Sequence, residues 1–151
     1  MVKFIEFSAG RVFVVRPEYG EDLLEALRES VDRLDVRAGV FWAIGAVRKA
    51  VVSYYDQTEK RYVRLRIDKP LEIVSCIGNV SELQGERIVH AHIALGDRDG
   101  NAYGGHLEPG TEVFSAEIFL IEVKGPPLTR SYDERTGLNL LRTAEGGIRQ
   151  A

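Results

Sequence analysis

Apolar side chains recur at Leu23, Leu24, Leu27, Val31 and Leu34, a three-to-four spacing that lines one face of a helix and predicts a helix over residues 21–36. Gly20 precedes it, Glu21 and Asp22 put negative charge near the positive end of its dipole, and Gly39 lies just beyond as a stop. The remaining pattern is that of strands, in short β-branched or aromatic segments between turn residues. Val12 to Arg16 precedes the helix, and Val40 to Val47 and Ala50 to Tyr55 follow it. Arg61 to Ile67 alternates, with Val63, Leu65 and Ile67 on one side and Tyr62, Arg64 and Arg66 on the other. This predicts a half-exposed strand joined to its predecessor by the turn Asp56 to Lys60. Leu71 to Val80, Arg87 to Leu95, Asn101 to Leu107 and Thr111 to Val123 complete the set, before a Pro126-Pro127 break and a weakly patterned tail. The predicted fold is α+β, a single domain with a mostly antiparallel, strongly curved sheet and one main helix. Residues 1–125 are expected to form the domain, and 126–151 an extension packed on it.

Composition narrows the function classes. With 44% hydrophobic and 28% charged residues, the 151-residue chain has enough apolar material for one core. Its longest apolar runs, such as Val12 to Val15 and Ile118 to Ile121, fall far short of the roughly 18 residues that cross a bilayer, so no membrane association is expected. The amino terminus lacks a secretory pattern and the single Cys76 has no second cysteine to pair with, which leads to an expected cytoplasmic location. The 20 basic residues are outnumbered by 23 acidic ones, giving a formal charge of −3 and no excess of cations for phosphate neutralisation. Arg130, Arg135, Arg142 and Arg149 gather in the tail, but Asp133, Glu134 and Glu145 stand among them, and a mixed solvated surface is the plain reading.

The three histidines all lie between residues 90 and 106. In a strand, residues two apart share a face, so His90 and His92 project together while Val89, Ala91, Ile93 and Leu95 form the opposite, apolar face. The third depends on the hairpin that follows. Gly100 suits the left-handed position of a three-residue loop Arg98-Asp99-Gly100. That loop pairs Asp97 with Asn101, Leu95 with Tyr103 and Ile93 with Gly105, and sets His92 opposite His106. Directly opposed Cβ atoms lie about 4.5–5.5 Å apart and diagonal ones about 7–8 Å, so three imidazoles could reach one ion. A four-residue loop would turn His106 to the other face, and a bulge at Gly104-Gly105 would also disturb it. Neutral imidazole and an open fourth position suit Zn²⁺, the first choice, with nickel, iron, cobalt or copper as other divalent candidates. The competing reading is polar residues on the solvent face of a hairpin.

No catalytic residue is identifiable. Glu117 is the carboxylate most readily drawn into a site, although an exposed edge or interface role is the commoner one. Asp97 and Asp99 read as turn residues, Cys76 as a packed thiol, and Trp42, Tyr54 and Tyr55 as packing aromatics. Gly45 lacks the further glycines and the lysine of a phosphate-binding loop.

Three stretches carry a resemblance: Ile44-Gly45-Ala46-Val47 with Ser53-Tyr54-Tyr55-Asp56; Leu71 to Val80; and His90-Ala91-His92 with Gly104-Gly105-His106-Leu107. They resemble the plants-and-prokaryotes conserved domain, or PPC domain, of the stand-alone prokaryotic type, over roughly residues 4–125. The resemblance implies an α+β fold assembled as a homotrimer, and a metal site at the tri-histidine cluster as in some prokaryotic members. It also brings a DNA-binding label, which in the plant nuclear proteins belongs to a separate AT-hook arm that this chain lacks. The plant partner-binding motif aligns with Lys69-Pro70-Leu71-Glu72-Ile73-Val74, of which only the strand half is kept. The expected function is a regulatory or binding module with a divalent metal at His90, His92 and His106, recognising an unidentified small molecule or protein; the alternative is a zinc-dependent enzyme acting on a small molecule.

Overall fold

The computed structural model describes residues 4–142. In chain order its elements are β1 (Ser8–Val15), α1 (Leu23–Arg33), β2 (Gly39–Asp56), β3 (Arg61–Ile67), β4 (Leu71–Leu83), β5 (Glu86–Gly96), β6 (Ala102–Leu107), β7 (Glu112–Lys124), β8 (Arg130–Asp133) and β9 (Leu138–Leu141). Seven strands form one antiparallel sheet in the order β1-β7-β2-β4-β5-β6, with β3 added to β2. The outer end of β6 returns to β2 through Val52↔Leu107 and Ser53↔His106, so that β2, β4, β5 and β6 close on one another. Among the described residues the fold is α+β, mostly antiparallel, with a single short helix.

The helix is shorter than its apolar periodicity predicts. Asp22 caps it, its Oδ1 accepting from the Leu24 and Glu25 amides at 2.9 and 3.0 Å. At the other end Asp35 takes a left-handed φ of +51°, and the Val36 amide donates back to the Val31 carbonyl at 2.9 Å. That wrap-around closes the helix before Gly39, which instead opens β2. Leu23, Leu24, Leu27 and Val31 are buried, and they pack with Phe41, Ile93, Leu95, Ile118 and Leu120 in the core.

The two segments expected on either side of Arg48-Lys49 are one 18-residue strand, β2. Irregularities between Ala43 and Gly45 and between Ala46 and Lys49 bend it, so that its first half pairs with β4 and β7 and its second with β3 and β6. The charges that read as a break stay inside the strand because Glu112 on β7 pairs with both Arg48 and Lys49. On β3, Ile67 is buried but Val63 and Leu65 are 47% and 52% exposed, so the face predicted to be covered is open in the isolated chain. The tail, too weakly patterned to assign, forms the hairpin β8–β9 through residue 141; Glu145 and Arg149 lie outside the described residues.

The sheet has a buried face and an outer face. Across the outer face, partners in register form a row: Val14, Phe119, Trp42, Ile77, His92 and His106, one from each of six strands. A second row runs Val12, Ile121, Val40, Asn79 and His90. Trp42 and Phe119 stack with ring centroids 5.5 Å apart, yet Trp42 is 42% exposed.

Candidate metal centre

The β5–β6 hairpin adopts the register expected from the three-residue loop. Asp97 and Asn101 join through the Asp97 amide and the Asn101 carbonyl at 3.0 Å, and Gly100 has φ +81°. Leu95 pairs with Tyr103, Ile93 with Gly105 and His92 with His106, without a shift at the double glycine. The Asp97 carboxylate secures the loop by accepting from the Asp99 and Asn101 amides, the Tyr103 hydroxyl and the Lys69 ammonium. It is a turn anchor, as its sequence position suggests. The two glycines serve a packing purpose: a Cβ on Gly104 would lie 2.7 Å from the Ile93 carbonyl oxygen, and one on Gly105 2.6 Å from that of Ser53. Their absence lets β6 lie close to β5 and β2 and sets His106 over the seam.

His90, His92 and His106 each bring a ring nitrogen within 4.8 Å of the other two. Ring centroids are 5.2 Å apart for His90 and His92, 5.0 Å for His90 and His106, and 5.6 Å for His92 and His106. His90 and His106 are half-buried and His92 is exposed. Burial, followed by the charge of Arg130 and the neighbouring imidazoles, pushes the His90 pKa down to about 4. Burial also lowers His106, against the opposing pull of Glu108. Both rings are therefore neutral at pH 7, the form that carries a lone pair for a metal ion. Buried His106 Nδ1 has no hydrogen-bond partner among the described residues. Three imidazole nitrogens with one exposed side suit a divalent transition ion. The three histidines could hold a metal ion.

Glu117 is not part of this cluster. It is exposed on β7 opposite Ile44, with β2 and β4 lying between β7 and β5 in the sheet order, so that it looks out over a different part of the sheet. The carboxylate that does act on His106 is Glu108, two residues further along the chain. Burial raises the Glu108 pKa, but hydrogen bonds from the Ser53 hydroxyl and Arg64 at 2.7 and 3.0 Å outweigh it and hold the carboxyl below its ordinary range. The period-two rule applied beyond His106 would have found it. Tyr62 of β3 places its ring 5.1 Å from that of His106, which only the closure of β2 could reveal. Arg130 is a correction: rather than lying on a solvated surface, it is half-buried and reaches back from β8 to Ser81, Asn79 and His90. Cys76 is buried, its thiol pushed up to about 12 by desolvation, and it stays an inert packing group.

With hairpin, glycines and histidines in place, the model of the Plants and Prokaryotes Conserved (PCC) domain, the PPC domain named above, matches residues 4–124. The chain belongs to this family. Among solved structures, a metal-containing protein from Archaeoglobus fulgidus is 42% identical, with 93% of this chain and 99% of that one covered and a TM-score of 0.88. A PPC protein from Pyrococcus horikoshii is 35% identical over 96% of this chain and 99% of that one, with a TM-score of 0.87. A candidate DNA-binding protein from Bacteroides thetaiotaomicron, 23% identical over 91% and 97% of the two chains with a TM-score of 0.81, shares the fold. Of curated proteins, the bifunctional protein GlmU of a Synechococcus strain is 33% identical over 140 residues, covering 89% of this chain and 21% of that protein. The PPC chain thus spans about a fifth of the length of the curated relative. No helix among its described residues is long and apolar enough to cross a membrane.

Proposed function

We propose that this PPC-domain protein is a homotrimeric binding module that holds one zinc ion per chain at His90, His92 and His106. The observation that carries the metal assignment is the convergence of one ring nitrogen from each of the three histidines within 4.8 Å. The metal-containing relative from Archaeoglobus fulgidus, at 42% identity, supports it. A zinc ion there would supply Lewis acidity and a coordination position open to solvent on the His92 side.

Assembly is supported by the outer face. Val12, Val14, Val40, Trp42 and Ile77 are all more than 40% exposed and lie in two cross-strand rows that run up to the histidines. A continuous apolar surface of this kind is the signature of a protein interface. Most cations of the described surface are already matched: Arg11 with Glu122, Arg28 with Glu25, Arg48 with Glu112, Arg64 with Glu108 and Arg87 with Asp32 and Asp35. Such pairing favours a binding module over a phosphate-tracking DNA surface.

The test is elemental analysis of the gel-filtered protein beside a variant with His90, His92 and His106 all replaced by alanine. About one zinc per chain, lost in the variant, is expected; absence of bound metal after incubation with Zn²⁺ defeats the assignment. A zinc-dependent enzyme acting on a small molecule is the second reading, favoured by the half-buried Arg130 beside the cluster. Turnover of a small-molecule panel that disappears in the triple variant would decide for it.

A further inference from the structure

Arg130 has an unusual set of partners. Its Nε donates to Ser81 Oγ at 2.7 Å, Nη1 to the Asn139 carbonyl at 2.9 Å, and Nη2 to Asn79 Oδ1 at 2.9 Å. Nη2 also lies 3.4 Å from His90 Nδ1. Every one of these acceptors is neutral. Burial dominates its surroundings, and among the described residues it forms no ion pair, in contrast to Arg11, Arg48, Arg64 and Arg87, each matched to a carboxylate. Glu108, the carboxylate nearest in electrostatic terms to His106, is already engaged by Ser53 and Arg64.

A half-buried guanidinium without a counter-charge carries an uncompensated desolvation cost, and a divalent cation held by three imidazoles beside it adds to the same positive field. The long contact to His90 and one unused N–H on Nη1 leave donors to spare. We propose that the site takes a small oxyanion, whose negative charge is shared between the metal ion held by His90, His92 and His106 and the Arg130 guanidinium. Planar, forked and permanently charged, the arginine suits this task better than a lysine would. The β8–β9 hairpin is then a functional part of the site, since it is what carries Arg130 to the histidines. This inference rests on the metal assignment made above.

Linkage makes it testable: if metal and oxyanion stabilise each other, each raises the affinity of the other by the same factor. Zn²⁺ affinity is measured in acetate, in sulfate and in chloride at equal ionic strength, and Co²⁺ absorption is recorded in the same three solutions. In the native protein at least one oxyanion is expected to tighten Zn²⁺ binding about tenfold over chloride and to change the Co²⁺ spectrum. A response to acetate alone assigns the site to carboxylates, and to sulfate alone to tetrahedral oxyanions. Arg130→Met should lose the gain; Arg130→Lys, keeping the charge but not the fork, should retain part of it.

Because Arg130 also anchors the hairpin, Tyr55→Phe serves as the control, removing the 2.7 Å bond from the Tyr55 hydroxyl to the Thr136 carbonyl while leaving Arg130 in place. It should keep the gain, and its loss there would assign the coupling to hairpin placement and overturn the proposal. If Arg130→Met does not fold, the native and Arg130→Lys measurements decide. Zinc bound equally in all three salts overturns the oxyanion proposal and leaves the metal site standing; no zinc bound in any of them removes both.

Discussion

Glu122 illustrates how much one side chain can tie together. Arg11 grips its carboxylate with Nε and Nη2, each at 2.8 Å, and adds its backbone amide at 3.2 Å. These bonds draw the Glu122 pKa down to about 2. A carboxyl whose folded pKa lies below its unfolded value stabilises the fold above the unfolded pKa, and that contribution is lost as pH falls through the folded one. Between about pH 4.5 and pH 2 the native protein should lose stability that a Glu122→Gln variant no longer has to lose, as read from urea midpoints across that range. Equal pH slopes for the two would show that the pair does nothing for the fold. At the same scale, His90 and His92 were legible as a pair from strand alternation alone, whereas Arg130 was not, because no local pattern tells which surface a poorly patterned tail will cover.

The β5–β6 hairpin is the element on which the site depends. Its loop places Gly100 at φ +81° with nothing within 4 Å of where a Cβ would be, so an alanine there meets backbone strain and no clash. Gly100→Ala should therefore cost about 1–2 kcal/mol in thermal or urea unfolding. It should also weaken metal binding, since a one-residue slip would send His106 to the other face. Unchanged stability and unchanged affinity would mean that the loop does not set the register. The register could be read in advance because a glycine at the third loop position leaves few ways to close a hairpin. Helix α1 was found for a similar reason, from its apolar face, but its ends were not: Asp22 and the left-handed Asp35 decide them by capping geometry, which periodicity does not report. The pattern of the long β2 predicts two strands where there is one, because its charged middle is neutralised by Glu112, far away in sequence.

For the whole molecule the open question is what covers the outer face. Trp42 lies at its centre, paired with Phe119 on one side and Ile77 on the other. The native protein should sediment with the mass of three chains, and Trp42→Glu, which places a charge in the middle of the apolar rows, should sediment as a single chain with its fold retained. A native protein that sediments as one chain at micromolar concentration would defeat the trimer. Exposure of Val63 and Leu65 on β3 belongs to the same question, for an alternating strand has an apolar side whether its cover comes from the same chain or from another.

Alternation, turn residues and a helical stripe were sufficient to determine the class of fold, the histidine hairpin and its pairing, because each arises from neighbours along the chain or across one short loop. The encounter of His106 with Ser53 and Tyr62, the engagement of Glu108, the exclusion of Glu117 and the approach of Arg130 to His90 depend on contacts between distant segments. Only the closure of β2 onto β6 and the return of β8 across β4 decided those, since the energy that selects them comes from packing and desolvation of surfaces that do not exist until the sheet has curved.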